Sequence, residues 1–159
     1  MFILVTGGSG SGKSEFAENY ACKFKGDKVY IATMQPFGCE DRIKRHRKMR
    51  EGKGFRTVEC YGKLDVDKAD VFLLECVSNL TANMVFSLGI KSADEIIKEI
   101  LNLNCTTLVA VTNEIFSDGI EYDIETEEYM RILGEVNRGL AKVSDEVYEV
   151  VYGRAVRIK

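Results

Sequence analysis

Short apolar runs rich in β-branched residues alternate along this chain with longer stretches in which apolar positions recur every three or four residues. The first pattern suits strands buried on both faces, the second amphipathic helices. Their alternation predicts a mostly parallel sheet covered by helices on both faces. Strands are expected at Phe2–Thr6 (FILVT), Lys28–Thr33 (KVYIAT), Arg56–Cys60, Val71–Glu75 (VFLLE) and Thr106–Thr112 (TTLVAVT). Helices are expected at Lys13–Lys25, Glu40–Arg50, Val77–Ser87, Ser92–Leu101 and Ile124–Val143. The tail DEVYEVVYGRAVRIK differs: two alternating runs pivot on Gly153, which predicts a closing β-hairpin with an antiparallel edge. With 159 residues, 45% of them hydrophobic, and no internal repeat or linker, one domain spanning 1–159 is expected.

The first strand runs into GGSGSGKS, that is Gly7, Gly8, Ser9, Gly10, Ser11, Gly12, Lys13 and Ser14, and a helix follows. This satisfies G-x-x-x-x-G-K-[ST] in the strand–turn–helix setting that a phosphate-binding P-loop requires. Glycines let the backbone wrap phosphate oxygens with its N–H groups pointing inward, and the helix N-terminus adds partial positive charge. Lys13 is placed to reach the β- and γ-phosphates, and the Ser14 hydroxyl to ligate Mg²⁺. A second acidic ligand is needed at a neighbouring strand end, and Glu75 closes VFLLE at the carboxyl edge where ligands bind in open α/β sheets. Its alternative role is to cap the helix that follows. Asp70 sits at the other end of that strand, on the wrong side. VTNE ends a third strand and brings Asn113 and Glu114 over the same crevice, or leaves them as ordinary loop residues.

Charge sharpens the picture. The chain is acidic overall, with a formal net charge of −3 and a pI near 5.4, which argues against general nucleic-acid affinity. Yet from Asp41 to Arg56 eight Lys/Arg face only Asp41 and Glu51, and from Glu114 to Glu135 eight acids face only Arg131. One surface is therefore built for anions, or two surfaces meet in an oligomer. The basic stretch contains RIKRHRKMR and the chain's single histidine, His46. On a helix over Glu40–Arg50, Arg42, His46 and Arg50 share a face. Composition alone favours a solvated basic helix with an incidental histidine. The functional alternative is specific: cationic neighbours keep an imidazole neutral and nucleophilic, while guanidinium groups bind a triphosphate. The five cysteines have no zinc-ligand spacing and read as reduced thiols of a cytoplasmic protein. MFILVTGG has no basic leader and no apolar run approaches about 18 residues, so neither a signal peptide nor a membrane segment is expected.

The ordered set ILVTGGSGSGKS, VYIAT, RIKRH, FRTVEC, LLECVSNLTAN, VTNE, GEVNRGLAKVSDEVYEVVYG and the final IK resembles, over nearly the full length, the bifunctional adenosylcobinamide kinase/adenosylcobinamide-phosphate guanylyltransferase family. The resemblance implies a RecA-like P-loop NTPase fold, a homotrimer, Mg²⁺, ATP and GTP, and two reactions of cobalamin assembly. The first phosphorylates the aminopropanol hydroxyl of adenosylcobinamide. The second transfers GMP from GTP to that phosphate through a guanylyl-histidine. By motif match Lys13 and Ser14 with the glycines of the Gly7–Ser14 loop hold phosphate and Mg²⁺, Glu75 is the acidic partner at the strand end, and His46 is the guanylylated nucleophile, so that His46, Lys13 and Glu75 form the expected catalytic set. From their placement alone, Arg42, Arg50 and Glu114 join the loop in the expected nucleotide-binding set. The chain departs from the family pattern at Gly10, Glu51 and Phe55 and in IFSDGIEY after VTNE. Two other readings stay open: a P-loop kinase of another small molecule, and a nucleic-acid-binding P-loop ATPase whose basic segment tracks a phosphate backbone.

Overall fold

The computed structural model describes residues 1–35, 44, 47, 48 and 50–159. Its strands are β1 (Phe2–Thr6), β2 (Lys28–Ala32), β3 (Phe55–Glu59), β4 (Ala69–Glu75), β5 (Cys105–Val111), β6 (Glu146–Val151) and β7 (Arg154–Arg157). Its helices are α1 (Lys13–Ala21), α2 (Val77–Leu88), α3 (Ala93–Leu101) and α4 (Ile124–Val143). Most of the predicted helix Glu40–Arg50 lies outside the described residues, but Lys44, Arg47, Lys48 and Arg50 have helical backbone. The helix predicted to reach Lys25 stops at Ala21, because i→i+3 bonds from Lys23 N to Tyr20 O and from Phe24 N to Ala21 O tighten the chain into a turn.

The strands form one sheet in the order β3-β2-β4-β5-β1-β6-β7. Every pairing is parallel except β6 with β7, the antiparallel hairpin expected at the edge. Alternation along the central strands separates two cores. Phe2, Leu4, Val29, Ile31, Phe72, Leu74, Leu108 and Ala110 face α2, α3 and α4, where Leu80, Met84, Ile96, Ile100, Ile132, Leu133, Val136 and Leu140 complete a large cluster. The other parity, including Ile3, Val5, Tyr30, Leu73 and Val109, faces α1 through Ala17 and Ala21. Continuous apolar runs such as VFLLE are thus explained by a sheet covered on both faces. The cover is uneven: among the described residues three helices pack on one face and one on the other.

Helix starts differ in a way that matters below. Cys76, Ser92 and Asp123 cap α2, α3 and α4 by accepting from Asn79 N, Glu95 N and Thr126 N. At α1 the N-cap is Gly12, which supplies no side-chain acceptor. The loop before α1 leans on the hairpin: Gly153 N donates to Ser11 O at 2.8 Å, and a Cβ on Gly7 would lie 2.5 Å from the Val150 carbonyl oxygen. Among the described residues no helix is long and apolar enough to cross a membrane.

Replacing Gly7 with Ala is expected to lower unfolding stability by about 1–3 kcal/mol, the usual cost of overpacking. Gly8→Ala, where nothing lies within 4 Å of the added Cβ, is the control and should leave the thermal midpoint nearly unchanged. Equal midpoints for the two variants would show that the loop does not bear on β6.

Candidate active site

The loop from Gly7 to Ser14 leaves β1 at the carboxyl edge of the sheet and opens α1. Ser11 N donates to Gly8 O at 3.2 Å, closing the loop into a cradle, and Lys13 Nζ reaches back to the same carbonyl at 3.0 Å. With no side-chain cap at Gly12, the first-turn N–H groups of α1 are available to an anion. Lys13 is only 6% exposed, so its ammonium is already largely withdrawn from solvent.

Glu75 is the centre of the site. Its Oε1 accepts from Ser14 Oγ at 2.7 Å and its Oε2 from Tyr30 OH at 2.6 Å. Parity explains the placement: Val71, Leu73 and Glu75 point to the α1 face, and β2 pairs with β4 so that Ala32 lies opposite Glu75 and Tyr30 opposite Leu73. Helix capping, the alternative role for Glu75, falls to Cys76 instead. Asp70 lies at the opposite edge, accepting from Asp27 N at 2.9 Å.

Tyr30 gives the basic segment its footing. The Arg50 guanidinium lies 3.4 Å over its ring centroid, a cation–π contact, and Arg50 is 8% exposed. Burial, then the Glu75 carboxylate, push the Tyr30 phenol far above its ordinary pKa, so it remains a donor. Arg47 and Arg50 line a cavity with Tyr30, Met34, Glu59 and Glu75. Arg47 and Arg50 therefore meet Glu59 and Tyr30 of their own chain, beside Glu75. Arg50 is stacked and buried rather than displayed on a solvated face. Arg42 and His46 lie outside the described residues.

VTNE joins three elements at the same edge. Thr112 Oγ1 donates to Asn137 of α4 at 2.7 Å, Asn113 Nδ2 to Ser78 of α2 at 2.6 Å, and Glu114 N to Gly7 O at 3.2 Å. The Glu114 carboxylate accepts from Phe116 N and Ser117 Oγ, shaping its own loop beside Gly8 and Ser9. Sequence reasoning missed Tyr30, Glu18 and Lys53. Glu18 is fully buried one turn beyond Ser14, and its Oε2 accepts from Lys53 Nζ at 2.8 Å. Burial raises the Glu18 pKa, opposed by the Lys53 ammonium. The available signals were a polar-tipped aromatic inside VYIAT and an acid four residues after Ser14 on the buried helix face.

Residues 3–158 match the family described as cobinamide kinase / cobinamide phosphate guanyltransferase. The chain belongs to this family. It is 36% identical to the bifunctional adenosylcobalamin biosynthesis protein CobU of Salmonella typhimurium and 35% identical to that of Escherichia coli, each comparison covering 100% of both chains. Among solved structures, an ATPase from the type III secretion system of pathogenic bacteria superposes with a TM-score of 0.53 at 10% identity, over 93% of this chain and 51% of that one. That likeness concerns the fold alone, and with the sheet and loop described above it establishes the α/β P-loop NTPase class.

Tyr30→Phe keeps the ring beneath Arg50 but removes the O–H that Glu75 accepts. Urea unfolding of this variant is expected to lose about 1.5–3 kcal/mol, as for a hydrogen bond to a charged group. An unchanged midpoint would mean that Glu75 is held without Tyr30.

Proposed function

We propose that this chain phosphorylates the aminopropanol hydroxyl of adenosylcobinamide and then transfers GMP from GTP to the resulting phosphate through a guanylyl-His46 intermediate. The observation that carries the reading is the convergence on Glu75 of the P-loop hydroxyl, Ser14, and the ring, Tyr30, on which the segment flanking His46 is seated. Membership of the family supports both reactions.

In the phosphoryl transfer, the cradle N–H groups and the α1 N-terminus bind the phosphate chain. Lys13, positioned across the loop mouth, offsets charge on the transferring group. The Ser14 hydroxyl and Glu75 carboxylate, 2.7 Å apart, are the hard oxygen donors that Mg²⁺ prefers, so the residues fit that ion. When bound, Mg²⁺ would neutralise charge on the β- and γ-oxygens. In the guanylyl transfer, an imidazole nitrogen of His46 attacks the α-phosphorus of GTP and the bond to pyrophosphate breaks. A phosphate oxygen of the acceptor then attacks the same phosphorus, the P–N bond breaks, and a P–O–P link forms with His46 regenerated. Neighbouring cations favour the neutral imidazole that the first attack needs.

The family resemblance further supports a cytoplasmic homotrimer. The nucleic-acid alternative is weakened by the engagement of Arg47, Arg50 and Lys53 with their own chain.

Lys13→Ala is expected to slow cobinamide phosphorylation by on the order of 10² to 10⁴. His46→Ala should abolish the acid-labile, base-stable adduct formed from α-labelled GTP while affecting phosphorylation less. Normal phosphorylation by folded Lys13→Ala protein, or a full adduct on His46→Ala protein, would sink the corresponding half of the reading.

A further inference from the structure

The segment after His46 is docked at three cations spaced three residues apart. Arg47 Nη2 lies 3.2 Å from Glu59 Oε1, an ion pair whose side chains are 62% and 51% exposed. Such exposed pairs hold little. Arg50 stacks on Tyr30, with Nη2 3.5 Å from Thr57 Oγ1. Lys53 makes the third contact, and it differs in kind. The Glu18 side chain is 0% exposed, that of Lys53 25%, and the second Glu18 oxygen, Oε1, is buried with no hydrogen-bond partner among the described residues. A buried carboxylate in this state leans most on the cation that hydrogen-bonds it, Lys53, with Arg50 adding a weaker attraction.

The pair also joins two particular elements. Glu18 lies four residues after Ser14, on the same face of the helix whose N-terminus forms the phosphate cradle. Lys53 sits in the turn that ends the basic segment. Gly52 and Gly54 on either side of it have φ of 77° and 75°, and Lys53 N donates to Arg50 O at 3.0 Å. Left-handed backbone on both sides is what turns the Lys53 side chain back toward α1 while β3 begins at Phe55.

We propose that Lys53 and Glu18 are positioning residues for guanylyl transfer: their ion pair locks the far end of the His46 segment to the P-loop helix. The inference rests on the guanylyl-His46 reading above and names a contact that ties the chain after that histidine to the P-loop helix. Phosphoryl transfer is carried by groups on the loop and on β4, which Gly8 O and Tyr30 hold, so the lock serves the second reaction and not the first.

Two variants test it, each assayed for phosphorylation with γ-labelled nucleotide and for adduct formation with α-labelled GTP. Lys53→Met should slow adduct formation by on the order of 10- to 100-fold, the usual effect of misplacing a reacting group. Phosphorylation should stay within about twofold of the parent, and Lys53→Arg should restore the adduct rate. The double variant Glu18→Met/Lys53→Met removes the unpaired buried charge, so stability returns while adduct formation stays slow. Recovery of adduct formation in the double variant, or parallel loss of both reactions in either variant, overturns the proposal. A His46→Ala control separates the two readings. If that variant keeps the adduct, the guanylyl-histidine reading fails and the lock with it. If it loses the adduct while Lys53→Met forms it at the parent rate, the lock alone fails.

Discussion

Glu75 carries its carboxylate at 6% exposure on the end of a strand that is otherwise almost wholly apolar. A charge so placed is tolerated only when hydrogen bonds replace the water it has lost. Two hydroxyls do this, one from the P-loop and one from β2. Because each of those groups has a second duty, the carboxylate couples three parts of the molecule. Ser14 lies in the first turn of the helix that opens from the P-loop, and Tyr30 supports Arg50 of the basic segment. Remove the charge and both the Ser14 hydroxyl and the seat of Arg50 lose their common reference.

The uneven cover of the sheet gives this arrangement its room. Among the described residues three helices bury one face, with α4 held to α3 and α2 through a continuous apolar cluster. On the other face α1 is nine residues long and covers the centre of the sheet, leaving β2 and β3 beside it for the segment that carries Arg47, Arg50 and Lys53. That face is where a charged segment can approach a buried carboxylate without displacing the main core. The C-terminal hairpin serves the same site from the opposite side, since Gly153 and Val150 press against the loop. A nucleotide cradle thus gains rigidity from a strand pair at the end of the chain.

Several features were legible in sequence because they are local. GGSGSGKS specifies its own backbone path, and a helix beginning immediately after a glycine has an open N-terminus wherever the helix goes. The direction of the strand around VFLLE put Glu75 at its carboxyl end and Asp70 at the other, and both lie there. VTNE was legible only as a polar strand end. Its work as a bracket between the loop, α2 and α4 depends on Ser78 and Asn137, which no local rule connects to it.

The sequence by itself therefore determined the strands and most of the helices, the phosphate cradle, and the family to which the chain belongs. These rest on periodicity and on motifs read within a few residues. Tertiary structure decided who meets whom across distance. Tyr30 and Glu75 are 45 residues apart, and Glu18 and Lys53 are 35 apart. Both pairs exist because β2 lies beside β4 while β3, which falls between them in the chain, is placed outside at the edge. That order follows from how long-range burial is best satisfied around the whole sheet, and a buried acid finds its cation only after it is set.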